Sequence, residues 1–219
     1  MLLEKANVKE TATNGEIPTK ILLIGQSNTL GFAPIPATIR EIHNVENLMG
    51  AAGIGSLLLE GAAATISQVW EGMRTHSWVH FACHANTHCD TLKSGLHLHD
   101  GLLEVTRQRI QNADLAFLSA CSTSTGSDAA VNLAGGMLAA GYRGVVATMW
   151  PIQDDDGPVI ANHFYMHMLE EKLGDRQLNS ANAALALDYA TQRMREELEK
   201  RKATEMALLR WVSFVHFGV

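Results

Sequence analysis

An α/β fold built on a mostly parallel sheet is predicted by three features of this sequence. Short apolar runs, of a length suited to strands, alternate with stretches of helical period. The runs are continuously apolar, as strands covered on both faces require. Loops rich in Ser, Asn, Gly or Thr leave their carboxyl ends, where open α/β sheets gather their ligand-binding groups.

In order, residues 1–19 are polar and aperiodic and read as a linker or disordered lead-in, with the domain proper spanning 20–219. Ile21–Ile24 is the first strand, stopped by Gly25, and residues 26–36 form its loop. Apolar positions at Ile39, Ile42, Val45 and Leu48 give a helix over 38–51. Ser56–Leu59 is a second strand and 63–74 a second helix; Trp78–Cys83 is the third strand. The segment 95–99 suits a small hairpin or edge strand, and 102–111 a helix. Leu115–Ala120 is the fourth strand, and Asp128 caps a helix over 129–140 that Gly141 ends. Gly144–Met149 is the fifth strand, helices follow at 158–172 and 179–202, and Trp211–His216 closes a sheet of about six strands.

Composition narrows the function. The 219 residues suffice for one large domain, and 47% hydrophobic with 18% charged residues is ordinary for a globular protein. A net charge of −6 argues against nucleic-acid binding. No apolar stretch reaches the roughly eighteen residues of a membrane span, and the amino terminus lacks a secretory pattern. Three cysteines, an odd number, suggest free thiols and a reducing, cytoplasmic setting.

Two apolar runs end in reactive side chains. Trp78–Cys83 leads into His84, and Leu115–Ala120 leads into Cys121. A thiol attacks as thiolate and needs a neighbouring imidazole to take its proton, so strands ending side by side here make a nucleophile and a general base. Small neighbours (Ala82, Ala85, Ala120, Ser122) leave room for a peptide backbone. Backbone N–H groups of Cys121 and Ala85 are candidate donors to an oxyanion.

The blocks His80-Phe-Ala-Cys-His84, Leu96-His-Leu-His-Asp-Gly101, Ala113-Asp-Leu-Ala-Phe-Leu-Ser-Ala-Cys121 and Gly141-Tyr-Arg-Gly-Val-Val-Ala-Thr-Met-Trp-Pro151, with Asp154-Asp155, resemble the CHAT domain. That family belongs with the caspase-like cysteine peptidases, alongside separases. The resemblance runs from about residue 20 to the end and implies a caspase-hemoglobinase α/β/α sandwich with His84 and Cys121 as a catalytic dyad, needing no metal or organic cofactor. The family usually has Gly after the histidine; Ala85 keeps the N–H but would be strained at positive φ. In the similar separases, an acidic residue after the fifth strand receives a basic P1 side chain. Carried over, that position is Asp154, with Trp150 as a pocket wall and Met149, Ser119 and Gln26 as further candidate substrate contacts. The implied partners are protein or peptide substrates and a regulatory upstream domain or trigger.

Rival readings are a catalytically silent CHAT-like binding module and a nucleotide binder. Against the latter, Gly25-Gln-Ser-Asn-Thr-Leu-Gly31 has the wrong spacing for a phosphate-binding turn. The crowd of His76, His80, His84, His88, Cys83, Cys89, His97 and His99 lacks the paired spacing of a zinc site, because neighbours such as Cys83 and His84 face opposite ways along a strand. His80 is expected in the core, His97 and His99 at a rim, and the helix over 179–202 covering the sheet.

Overall fold

The computed structural model describes residues 19–86, 94–104, 109–122, 129–170, 178–200 and 207–219, with 121, 122, 129 and 130 described by their backbone alone. The lead-in expected over 1–19 lies outside these residues except for Thr19. Strand β1 (Lys20–Gly25) is followed by helix α1 (Ala37–Ala51), β2 (Gly55–Glu60), α2 (Ile66–Thr75), β3 (Trp78–Asn86), β4 (Gly95–Leu98) and β5 (Gly101–Leu103). Then come β6 (Leu115–Ser122), α3 (Ala129–Ala140), β7 (Gly144–Thr148), α4 (Asp156–Glu170), α5 (Ala183–Lys200), α6 (Ala207–Trp211) and β8 (Phe214–Gly218).

Among the described residues the sheet runs in the order β2-β1-β3-β6-β7-β8, with β4 and β5 as a hairpin on β3. The first five strands of that order are parallel and β8 is antiparallel to β7. The chain winds outward from β1 to β2 and then back through β3 to β7. The reversal lies between β1 and β3, the place where such sheets open a crevice at their carboxyl ends.

Alternation along the strands divides the core into two layers. Leu22, Ile24, Phe81 and Leu118 pack with Val69 and Met73 of α2 and Met137 of α3. Ile21, Leu23, Phe117 and Val146 pack with Val45 and Met49 of α1, Ile160 and Phe164 of α4, and Leu187 and Met194 of α5. Burying each such side chain contributes about 1.5–3 kcal/mol, which outweighs weak local preferences. Helix α1 lies close on β1 because residue 25 is glycine; a Cβ there would run into Ile42 Cδ1.

Three expectations change. The helix predicted over 102–111 is not formed: 101–103 is strand β5, and 109–112 is irregular with Asn112 at φ +60°, while 105–108 lie outside the described residues. Pairing of Leu96 with Leu103 buries both, and that tertiary gain outweighs the helical spacing of the apolar residues. Strand β3 continues to Asn86 instead of stopping at Cys83, since Ala85 and Asn86 pair with β4. At the carboxyl end, Trp211 finishes helix α6 and the strand starts only at Phe214.

Candidate active site

His84 and Cys121 are register partners on the adjacent parallel strands β3 and β6. Neighbouring parallel strands lie about 4.8 Å apart, so the two Cα atoms are close. Both positions belong to strands longer than the sequence suggested, near the carboxyl ends of both. Two residues back along β6, Ser119 is in register with Ala82, on the face that α1 and α4 cover.

The loop after β1 fixes the imidazole. His84 Nε2 lies 2.9 Å from the carbonyl oxygen of Ala33. A carbonyl can only accept, so Nε2 carries a hydrogen. Nδ1 is buried and has no hydrogen-bond partner among the described residues. The Phe32 ring stacks on the imidazole at 4.9 Å and 26° and also meets the His97 ring, tilted, at 4.5 Å. Burial, and secondarily the nearby His84, hold the His97 pKa below the ordinary 6.5.

A cavity of about 310 Å³ adjoins His84. Ile35, Thr38 and Glu41 line it from the β1 loop and α1, Cys83 and Ser119 from the sheet, and Pro151, Ile152, Asp154 and Gly157 from the β7–α4 segment. Cys83 is fully buried, and desolvation, then the charge of Glu41, pushes its thiol far above the usual range. It is therefore an inert thiol rather than a rival nucleophile.

Glu41 is the site residue that sequence reasoning missed. It is 2% exposed, and both carboxylate oxygens are engaged: Oε1 with His80 Nε2 at 2.9 Å, Oε2 accepting from Ser119 Oγ at 3.0 Å. Its signal was present, since Thr38, Glu41, Val45 and Met49 form one helical stripe, and an acid within an apolar stripe needs a reason.

The other candidates are distributed as follows. Asp154 lines the cavity, and its Oδ2 accepts the Ala37 N–H at 2.9 Å, closing an α1 amino terminus that has no side-chain cap of its own. Asp155 pairs with Arg40, and Asp156 with Arg210, so the acidic triplet ties the β7 loop to two helices. Trp150 does not line the cavity; its Nε1 donates to the Leu209 carbonyl on α6, and Pro151 and Ile152 form the wall. Met149 is held to Ser213 by its backbone N–H. Gln26 is buried outside the cavity lining, bracing its own loop through Nε2 to the Asn28 carbonyl. Ala85 is in register with Ser122 on one side and Leu96 on the other, and is not among the residues of positive φ.

His80 is a core residue, as expected, stacked on Phe117. His88 and Cys89 lie outside the described residues, and among those described no three His, Cys, Asp or Glu side chains could hold a metal. Asp114, at the far end of β6, accepts from Trp78 Nε1 and Ser180 Oγ and is structural.

A crevice at the reversal point of a mostly parallel sheet, with a histidine and a cysteine position in register beside it, defines the fold of the caspase-like cysteine peptidases. Two solved structures share that fold. The Arg-specific cysteine proteinase gingipain R superimposes with a TM-score of 0.53 at 14% identity, over 91% of this chain and 46% of that one. The complex of Porphyromonas gingivalis RgpB pro- and mature domains gives 0.54 at 12%, over 91% and 47%. This chain thus spans just under half the length of those proteins. The CHAT domain model matches residues 2–219, and the chain belongs to that family. Comparison with curated proteins finds none that matches it in sequence.

Proposed function

We propose that this chain is a cysteine endopeptidase in which His84 and Cys121 form the dyad. The observation that carries the reading is the register of His84 with Cys121 beside the cavity, with the buried Nδ1 of His84 free of partners among the described residues. With Nε2–H held by Ala33, Nδ1 accepts the thiol proton. The Cys121 sulfur then attacks the scissile carbonyl, and backbone N–H groups of Cys121 and Ala85 stabilise the oxyanion. The imidazolium returns the proton to the leaving amine, and water releases the acyl group with His84 as base. No metal or organic cofactor enters this sequence of steps.

A protein substrate with a basic P1 residue suits the cavity, whose lining among the described residues includes two acids, Glu41 and Asp154, and no Lys or Arg. The loop with Asp154 supplies part of that acidic wall. Activity is proposed to be governed by an attached domain or a trigger.

Fluorogenic peptides with Arg, Lys, Asp or Leu at P1, together with an acyloxymethyl ketone that labels active thiols, test the reading. Turnover and labelling should vanish in Cys121→Ala and fall by roughly 10²–10⁴ in His84→Ala. A chain that neither turns over nor is labelled at Cys121, in any activating condition, is a silent binding module instead.

A further inference from the structure

The Glu41 carboxylate forms part of the cavity lining yet belongs to no step above. Tyr165 Oη lies 3.2 Å from His80 Nδ1, and His80 Nε2 lies 2.9 Å from Glu41 Oε1. Burial, then the charge of Glu41, raises the Tyr165 pKa well above its ordinary value, so the phenol keeps its proton. Ser119 donates to Oε2. Both Glu41 oxygens thus have a partner, and no Lys or Arg side chain among the described residues pairs with it: Arg40, on the same helix, is paired outward with Asp155. A buried carboxylate needs hydrogen-bonding or cationic partners, and this one lies at the wall of the cavity with no guanidinium or ammonium against it among the described residues.

Asp154 differs. It is only half-buried, and one oxygen is committed to the Ala37 N–H. Residue 157, in the same segment as Asp154, is glycine and packs against the carboxylate; a Cβ there would come within 2.5 Å of Glu41 Oε2 and 2.7 Å of Ser119 Oγ.

We propose that Glu41 is the specificity-determining residue of the P1 pocket, receiving the guanidinium or ammonium of a basic side chain, with Ser119 holding the carboxylate and Asp154 a secondary wall contact. This deepens the peptidase reading and rests on it for the term P1; the presence of a cation site at Glu41 is separable from catalysis.

Two arms test it on the full chain. In the first, binding of benzamidine and of n-butylamine is measured by calorimetry, with uncharged benzamide as control. The wild type should bind the cations over benzamide, Glu41→Gln should lose at least about tenfold in affinity, and Asp154→Asn should lose clearly less than Glu41→Gln. The second arm compares peptides with Arg, Lys, Gln or Met at P1. Glu41→Gln should lose on the order of a hundredfold in kcat/KM for Arg and Lys while Gln and Met are unchanged. Should Glu41→Gln fail to fold, Glu41→Asp withdraws the charge by one methylene, and the preference should shift from lysine toward the longer arginine. Cation binding unaltered in Glu41→Gln, an Arg-to-Lys ratio unaltered in Glu41→Asp, or absence of cation binding in the wild type overturns the assignment. A chain that binds benzamidine through Glu41 but never turns over or labels Cys121 keeps the cation site and loses the peptidase reading.

Discussion

The 2.9 Å contact between His84 Nε2 and the Ala33 carbonyl oxygen puts a hydrogen on Nε2 and orients the ring. In the proposed peptidase that main-chain oxygen takes the place of a third side chain, leaving Nδ1 as the base. Phe32, next to Ala33, adds a stacked face that limits ring rotation. Phe32→Ala removes the face and leaves the hydrogen bond. A loosened base lowers the chemical step more than substrate binding, so kcat should fall on the order of tenfold with KM within about twofold. Steady-state kinetics on a basic-P1 peptide read the split; a rise in KM at unchanged kcat would mean that Phe32 contacts substrate instead.

Residue 85 answers a question raised by the family pattern. Alanine where the family usually has glycine would be strained at positive φ, but Ala85 sits in extended backbone between β4 and β6. Ala85→Gly should therefore release no strain. It should leave kcat/KM within about twofold and destabilise the fold by about 0.5–1 kcal/mol, because glycine in a strand interior loses more backbone entropy. Urea denaturation with parallel kinetics checks both; a gain of tenfold or more in activity would show that the residue does restrict the oxyanion site.

The register of His84 with Cys121 was legible because its signal is local: a continuous apolar run followed by a reactive residue, twice, at the spacing of one strand and crossover. Glu41 was harder to read. Its helix was correctly placed, but the acid acquires meaning only when α1 crosses β3 and β6 and meets His80 and Ser119, far away in sequence. The full length of β3 depends on a hairpin whose pairing competes with helical spacing in the same residues. Asp154 was read as a pocket residue and does line the cavity, but no local pattern could reveal that its carboxylate also closes α1. What the sequence leaves dark in each case is a long-range partner.

Acid should weaken this fold in a definable window. His97 and His216 both have pKa values held below 6.5, His97 by burial and then His84, His216 by burial. The unfolded chain returns each to its ordinary value and so binds more protons between the two. Their contribution is present above pH 6.5 and is lost as pH falls through the lower folded values. Tm should accordingly drop between about pH 7.5 and 5.5, and a His97→Asn, His216→Asn double variant should show a shallower drop. Equal slopes in the two proteins would assign the acid sensitivity elsewhere.

The pair of Asp156 and Arg210 should be the most costly surface-proximal contact to break. Asp156 is 1% exposed at the start of α4, and the Arg210 guanidinium reaches it from α6 through Nε at 3.0 Å and through Nη2. The hydrogen bond to Asp156 raises the arginine pKa, followed in smaller measure by the charges of Asp156 and Asp155, against a desolvation that lowers it. Removing the arginine leaves a buried carboxylate alone, which costs about 3–5 kcal/mol in a closed interior. Arg210 reaches solvent, so water relieves part of the penalty, and Arg210→Met should cost about 2–3 kcal/mol. Asp156→Asn in the same chain removes the stranded charge and should recover at least half of that loss, which chemical denaturation of the single and double variants measures. The double variant also bears on the site, because Asp156 adjoins Gly157 on the cavity wall. If the pair only anchors α6, cation binding by the folded double variant stays at the wild-type level; if it also holds the wall, affinity for benzamidine falls together with stability.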